Sequence, residues 1–160
     1  MSQSHIVDAS ILDALTGEAR AHPRRRKNLN FHACESAACQ RLLNAIEPGS
    51  YVPPHRHLDP TKDESIVVVR GRLGVMIFDD GGGVREMGIL VPGGKVVLVN
   101  VPHGAYHTVI GLEPGTVFFE AKAGPYRPLT PHERAPWAPQ EGEPGWQDYL
   151  QSLARRLMAG

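Results

Sequence analysis

Two histidines in alternate positions, His55 and His57, are the clearest chemical feature of the sequence. Alternate residues of a β-strand point to the same side, so both imidazoles can reach one metal ion. A third histidine, His107, follows a predicted turn at Pro102 to Gly104, and closure of a β-barrel would bring it opposite the pair. An isolated histidine is more often a packing residue than a ligand, so the hypothesis of a metal site depends on all three.

The residues around these histidines resemble the two motifs of the cupin superfamily. The first, G(x)5HxH(x)3-4E(x)6G, is similar to the segment from Gly49 to Gly71, and the second, G(x)5PxG(x)2H(x)3N, to the segment ending at Gly111. In cupins the three histidines and the glutamate bind a metal inside the barrel. The ligand set that the resemblance implies here is His55, His57, Glu64 and His107.

The sequence departs from the cupin motifs at two positions. Six residues separate His57 from Glu64 where the motif has three or four, and Gly111 stands where the motif has asparagine. Asp59, in the longer loop, is therefore an alternative carboxylate ligand. Three imidazoles and a carboxylate suit iron, manganese, nickel, copper or zinc, so we expect one divalent transition metal ion as cofactor.

Further segments are similar to the WbuC family of cupin-fold metalloproteins, and together they cover most of the chain. Members of that family are often associated with gene clusters for O-antigen and other surface polysaccharides. The resemblance therefore implies a sugar-like substrate and a role in lipopolysaccharide biosynthesis. The segments are RRRKNLNFH, QRLLNAIEPGSYVPPHRH, FDDGGGV, HTVIGLEPGTVFFEAKAGPY and APWAPQEG.

Other polar residues are candidates for catalysis or substrate binding. Glu120 and Lys122 share a face of the last predicted strand, and Lys62 lies two residues before Glu64, so these side chains could move protons. The alternative is that they face solvent. Glu64 itself could act as a nearby base if the longer loop displaces it from the metal. The predicted substrate-binding residues are one arginine of the basic run 24–27, three polar residues of the alternating segment that follows it, and two tyrosines. They are Arg26, Asn28, Asn30, His32, Tyr106 and Tyr126.

The order of predicted elements indicates an all-β protein. Residues 1–39 are expected to form a helix, capped near Ser10 and Asp13, and an extended arm. Residues 40–123 contain short apolar runs bounded by glycine and proline, which predict a single cupin double-stranded β-helix, or jelly-roll barrel. Residues 124–160 are expected to wrap the surface and end in a second helix.

Composition and charge limit the classes of partner. Acidic and basic residues number 17 each, which argues against a general nucleic-acid or membrane-surface binder. The N-terminal segment lacks a signal-peptide pattern, so a cytoplasmic location is expected. Small-molecule binding is the expected interaction, and pairing of strand edges into a homodimer is a further expectation.

Three functional hypotheses follow. The first is a metal-dependent enzyme, such as an isomerase or epimerase, that acts on a small polar, sugar-like substrate. The second is an Fe(II)-dependent dioxygenase, because histidines and one carboxylate also hold iron in oxygenases. The third is a non-catalytic, metal-dependent sugar-binding module.

Overall fold

A computed structural model describes residues 6–160, so the first five residues of the predicted N-terminal segment lie outside it. Within this range the chain forms eight β-strands between two α-helices. A one-turn 3-10 helix follows the last strand. The elements are α1 Ala9–Ala21, β1 Arg26–Asn30, β2 Cys39–Ile46, β3 Glu64–Arg70, β4 Leu73–Phe78, β5 Val84–Leu90, β6 Leu98–Val101, β7 Tyr106–Gly111, β8 Thr116–Ala123, the 3-10 helix Pro131–Glu133 and α2 Trp146–Ala159.

The strands form two antiparallel sheets. One has five strands in the order β1-β2-β8-β3-β6, and the other has three in the order β5-β4-β7. In the described part of the chain the two sheets face each other without closing into one continuous hydrogen-bonded barrel. This arrangement, with a helix at each end of the chain, confirms the predicted cupin fold class.

Alternation along the strands divides the fold into layers. Inward side chains of both sheets form one apolar cluster, which includes Ile66, Val75, Val109 and Phe118. Residues at the neighbouring positions point outward, where the helices cover some of them and others are exposed. Because β8 carries Phe118, Glu120 and Lys122 on the same inward face, its apolar start leads into a polar end.

The two helices cover the outer faces of the sheets. Helix α1 packs Leu15 and Ala19 against β2 and β8, whereas α2 and the wrapping segment cover the three-stranded sheet. The start of α1 differs from the prediction, because Asp8 caps the helix and accepts hydrogen bonds from the amides of Ser10 and Ile11. Among the described helices, none has the length and apolar character needed to cross a bilayer.

Candidate metal centre

The backbone places His55 directly beside His107. The amide of His55 donates to the carbonyl of His107 at 3.1 Å, and the amide of His107 donates back at 2.8 Å. His55 thus lies on an isolated bridge to β7, and His57 follows without forming part of a regular strand, contrary to the prediction. The reciprocal pair nevertheless holds this segment extended, which keeps both imidazoles on the same side.

The three imidazoles converge on one point. One ring nitrogen from each of His55, His57 and His107 lies within 4.8 Å of the other two. His57 and His107 are buried, and His55 is partly exposed to the adjoining cavity. Such a cluster of neutral nitrogen donors suits a divalent transition metal.

Backbone carbonyls orient two of the rings. The Nδ1 of His55 is 3.0 Å from the carbonyl of Pro53, and the Nδ1 of His107 is 3.0 Å from that of Ala105. A proton on each Nδ1 leaves a free electron pair on Nε2, which is a common arrangement of histidines at metal sites. The buried Nε2 of His107 has no hydrogen-bond partner among the described residues, so the donors present fit a metal ion.

Glu64 is the carboxylate that reaches the histidines. Its Oε2 lies 2.9 Å from the Nε2 of His57 and 3.7 Å from the Nε2 of His107. The second distance is too long for a hydrogen bond but close enough for ligands of one ion. Asp59 is exposed and accepts hydrogen bonds from Thr61, so Glu64 is the one of these two carboxylates that contacts the histidines.

Electrostatics separate the protonation behaviour of the site residues. Desolvation and the neighbouring His107 lower the pKa of His55 to about 3. Burial also acts to lower the pKa of His107, but the Glu64 carboxylate outweighs it and raises that pKa. Burial favours protonated Glu64, yet Lys122 and the two histidines hold its pKa well below the usual value.

A polar cluster adjoins the histidines on the inward face of the five-stranded sheet, formed by Glu64, Glu120, Lys122 and Asn44. The ammonium of Lys122 lies 3.3 Å from Glu64 and also contacts Glu120. The amide of Asn44 donates to Glu120 at 2.9 Å. Glu120 and Lys122 therefore face the interior, and not solvent as the alternative hypothesis held.

The charged groups Glu120 and Lys122 of this cluster differ in how they titrate. Burial and the charge of Glu64 raise the pKa of Glu120, although Lys122 opposes that shift. Burial acts to lower the pKa of Lys122, but Glu64 and Glu120 together raise it. Lys122 is thus a fixed cation, whereas Glu120 is the group better suited to exchange a proton.

Two adjoining cavities open beside the histidines. One, of about 390 Å³, extends over Val109 and Phe118. The other, of about 540 Å³, extends towards Lys62 and Tyr126. Both are lined by His55, Asn44 and the polar end of β8. Their volumes lie in the range of sites for small molecules.

Three of the predicted residues in the N-terminal arm lie beside the polar cluster. Asn28, Asn30 and His32 line a third cavity of about 310 Å³ that also contacts Glu120 and Tyr126. The amide of Asn28 donates to Asn30 at 2.7 Å, so the two side chains are held together. Their place beside the polar cluster is compatible with substrate binding.

Two other predicted substrate residues have partners within the protein, although Arg26 also lines both cavities beside the histidines. The guanidinium of Arg26 makes two bonds of 2.9 Å to the carboxylate of Glu141 and another of 3.0 Å to the carbonyl of Tyr51. Tyr106 packs in the cluster beneath α2, on the opposite face of β7 from His107. The structure does not bring Tyr106 to the cavities, because neighbouring strand residues point to opposite sides.

Several residues of the cavity walls, among them Asn44, Arg127 and Arg134, were not predicted from the sequence. Asn44 is a polar residue at an inward position of β2, and this break in an apolar pattern was a usable signal. Arg127 and Arg134 come from the wrapping segment. No regular pattern there marks which side chains turn inward.

Comparisons with known proteins place the chain in a family. Residues 7–90, more than half of the chain, match the family described as a domain of unknown function, DUF6016. The chain belongs to the DUF6016 family. No curated protein sequence matches it.

Solved structures are similar to this DUF6016 protein in fold. KdgF from Halomonas sp. is 20% identical with a TM-score of 0.52, and the match covers 66% of this chain and 84% of KdgF. A single-site variant of the Bacillus subtilis oxalate decarboxylase is 18% identical with a TM-score of 0.51, over 68% of this chain but only 27% of the decarboxylase. A cupin superfamily protein from Desulfitobacterium hafniense is 15% identical, with a TM-score of 0.48, over 61% of this chain and 76% of its own.

Proposed function

We propose that this protein is a metal-dependent enzyme that acts on a small polar, sugar-like substrate by isomerisation, epimerisation or a related proton transfer. The observation that carries the proposal is the convergence of three imidazoles within 4.8 Å beside an open cavity. The WbuC resemblance further suggests a substrate from surface-polysaccharide biosynthesis. An ion in this site would polarise a hydroxyl or carbonyl group of the substrate.

The side chains of the site would have different roles. His55, His57 and His107 would hold the ion, with Glu64 as the fourth ligand. Lys122 keeps the Glu64 carboxylate ionised and in place. The raised pKa of Glu120 suits it to hold or release a proton at a carboxylate oxygen, which Asn44 orients.

Elemental analysis of protein purified without a histidine tag or chelator tests the metal site. The wild type should hold about one transition metal ion per chain, since three imidazole donors lie within 4.8 Å of one another. A His55→Ala/His107→Ala variant should lose the ion while circular dichroism shows that it remains folded. A His132→Ala variant, altered at an exposed histidine of the 3-10 helix, should keep it. A wild type that takes up no ion after reconstitution would contradict the proposal.

Activity measurements separate the enzymatic hypotheses. Proton transfer should proceed with manganese or zinc under anaerobic conditions, because no electron leaves the metal. Oxygen uptake that requires Fe(II) would instead favour the dioxygenase. Saturable ligand binding with several metals and no product by mass spectrometry would favour the binding module.

A further inference from the structure

Three cationic groups that line the larger cavity have no carboxylate in direct contact among the described residues. Of its basic residues, Arg24 and Arg26 pair with Glu141, and Lys122 pairs within the polar cluster. The remaining ones, which we call the cationic wall, are Lys62, Arg127 and Arg134. Within residues 6–160 none of these three has a carboxylate oxygen within 4.0 Å.

Lys62 is the most informative of them because it is buried. Only 9% of the residue is exposed, and its ammonium donates one hydrogen bond, of 3.0 Å, to the carbonyl of Pro125. An ammonium group has three protons to donate, and a buried charge is costly unless an opposite charge neutralises it. The structure thus holds a cation at the cavity that lacks a negative partner.

The rest of the cationic wall lies close by. Arg127 lines the same cavity as Lys62 and lies two residues after Pro125, whose carbonyl accepts the hydrogen bond from Lys62. The backbone of Arg134 pairs with that of His55, which fixes this arginine beside the metal histidines.

We propose that the substrate carries an oxyanion, a carboxylate or a phosphate, which binds to Lys62, Arg127 and Arg134 while its reacting end lies at the histidines. Ammonium and guanidinium groups bind such anions through short, charge-assisted hydrogen bonds. The inference deepens the proposed function, on which it rests, by naming the chemical class of substrate for the same cavity.

Titrations followed by nuclear magnetic resonance test the cationic wall with simple probes. Acetate and its neutral analogue acetamide isolate the effect of charge, and inorganic phosphate tests the other oxyanion. The full chain is titrated after chelation and again after loading with zinc. The variants are Lys62→Met and the surface pair Arg127→Gln/Arg134→Gln, with Arg85→Gln on exposed strand β5 as a matched control outside the cavity.

Acetate or phosphate should cause saturable shifts at the amides of Lys62 and Arg127, and acetamide should cause none. Each cavity variant should weaken anion binding about tenfold, the loss expected for a charged hydrogen bond, whereas Arg85→Gln should leave it unchanged. The preferred anion distinguishes a carboxylate from a phosphate substrate. Equal shifts with acetamide, no saturable shift with either anion, or an equal loss in Arg85→Gln would overturn the inference.

The two proposals fail separately. Anion binding by the chelated protein does not depend on an ion, so it would survive a failure of the metal site. A chain that holds metal but binds neither anion at the cationic wall would retain the proposed metal site and lose the oxyanion substrate.

Discussion

The metal-binding histidines differ in how readily they take up protons. The pKa of His55 is lowered to about 3, so this ring is neutral at higher pH, whereas Glu64 raises the pKa of His107. A metal ion binds only the neutral imidazole, so of these two histidines His107 is the one at which protons compete with the ion. We predict that metal affinity is constant above the raised pKa of His107 and falls as the pH drops through it. Equilibrium dialysis between pH 8 and pH 5 measures this, and retention of affinity at pH 5 would contradict it.

The two carboxylates near the site allow a paired test of the fourth ligand. Glu64 contacts the histidines, whereas Asp59 is exposed and bonded to Thr61. Glu64→Gln should weaken metal affinity by about 10-fold to 100-fold, the range typical for loss of a supporting carboxylate. Asp59→Asn should change it little. Competition with a chelator dye compares the variants, and a larger loss in Asp59→Asn would transfer the ligand role to that residue.

Close packing between strands explains why the last position of the second motif is glycine. A Cβ atom on Gly111 of β7 would lie 2.5 Å from the carbonyl oxygen of Ile46, which is backbone and cannot rotate away. Gly88 on β5 has no atom within 4 Å of such a Cβ. The structure therefore leaves no room for the asparagine of the motif.

This contrast predicts a difference in stability. Gly111→Ala should lower the free energy of unfolding by about 1–3 kcal/mol, the usual cost of overpacking, while Gly88→Ala should lower it much less. Urea unfolding followed by circular dichroism compares the two variants with the wild type. Equal stability of the two variants would show that the strands near Ile46 can separate without cost.

An ion pair joins the segment after helix α1 to the wrapping segment that follows the last strand. Glu141 in the wrapping segment binds Arg24 and Arg26 near β1, and about a quarter of its side chain is exposed. Partial burial acts to raise the pKa of Glu141, but the two arginines lower it overall. A lowered pKa means that the ion pair stabilises the fold above the pKa of the unfolded chain, and that this is lost as the pH falls through the folded value.

Glu141→Gln should accordingly lower stability at pH 7 by on the order of 1 kcal/mol, a modest value because the pair is partly exposed. The difference from the wild type should shrink towards pH 3. Urea unfolding at both values measures it. A difference that stays constant with pH would mean that the carboxylate charge is not the cause.

The predicted homodimer stays a prediction, but the molecule has a surface that suits it. Edge strand β6 and the residues before it expose Val96, Val97 and Leu98. Exposed apolar edge strands favour pairing with another chain. Light scattering should give twice the chain mass for the wild type and a lower mass for Leu98→Lys. A monomeric wild type would exclude the dimer.

Local patterns were sufficient for most elements and for the histidine cluster. The predicted series of short strands within residues 40–123 matches strands β2 to β8, which span Cys39 to Ala123. Such signals are local, because alternation and turn residues depend on neighbours in the chain. The polar start of strand β5 has no apolar signal of this kind, and it is ordered by pairing with β4.

The side chains that complete the site depend on contacts between distant segments. The sequence does not determine whether Glu120 and Lys122 face solvent or the interior, because that depends on which side of β8 the opposite sheet covers. Arg26 lines both cavities, but its charge is paired with Glu141, which lies more than a hundred residues later in the chain. Spacing along the chain therefore reveals which residues can chelate a metal together. The partners of a side chain follow from how separate elements pack, because burial and Coulomb attraction depend on distance in space.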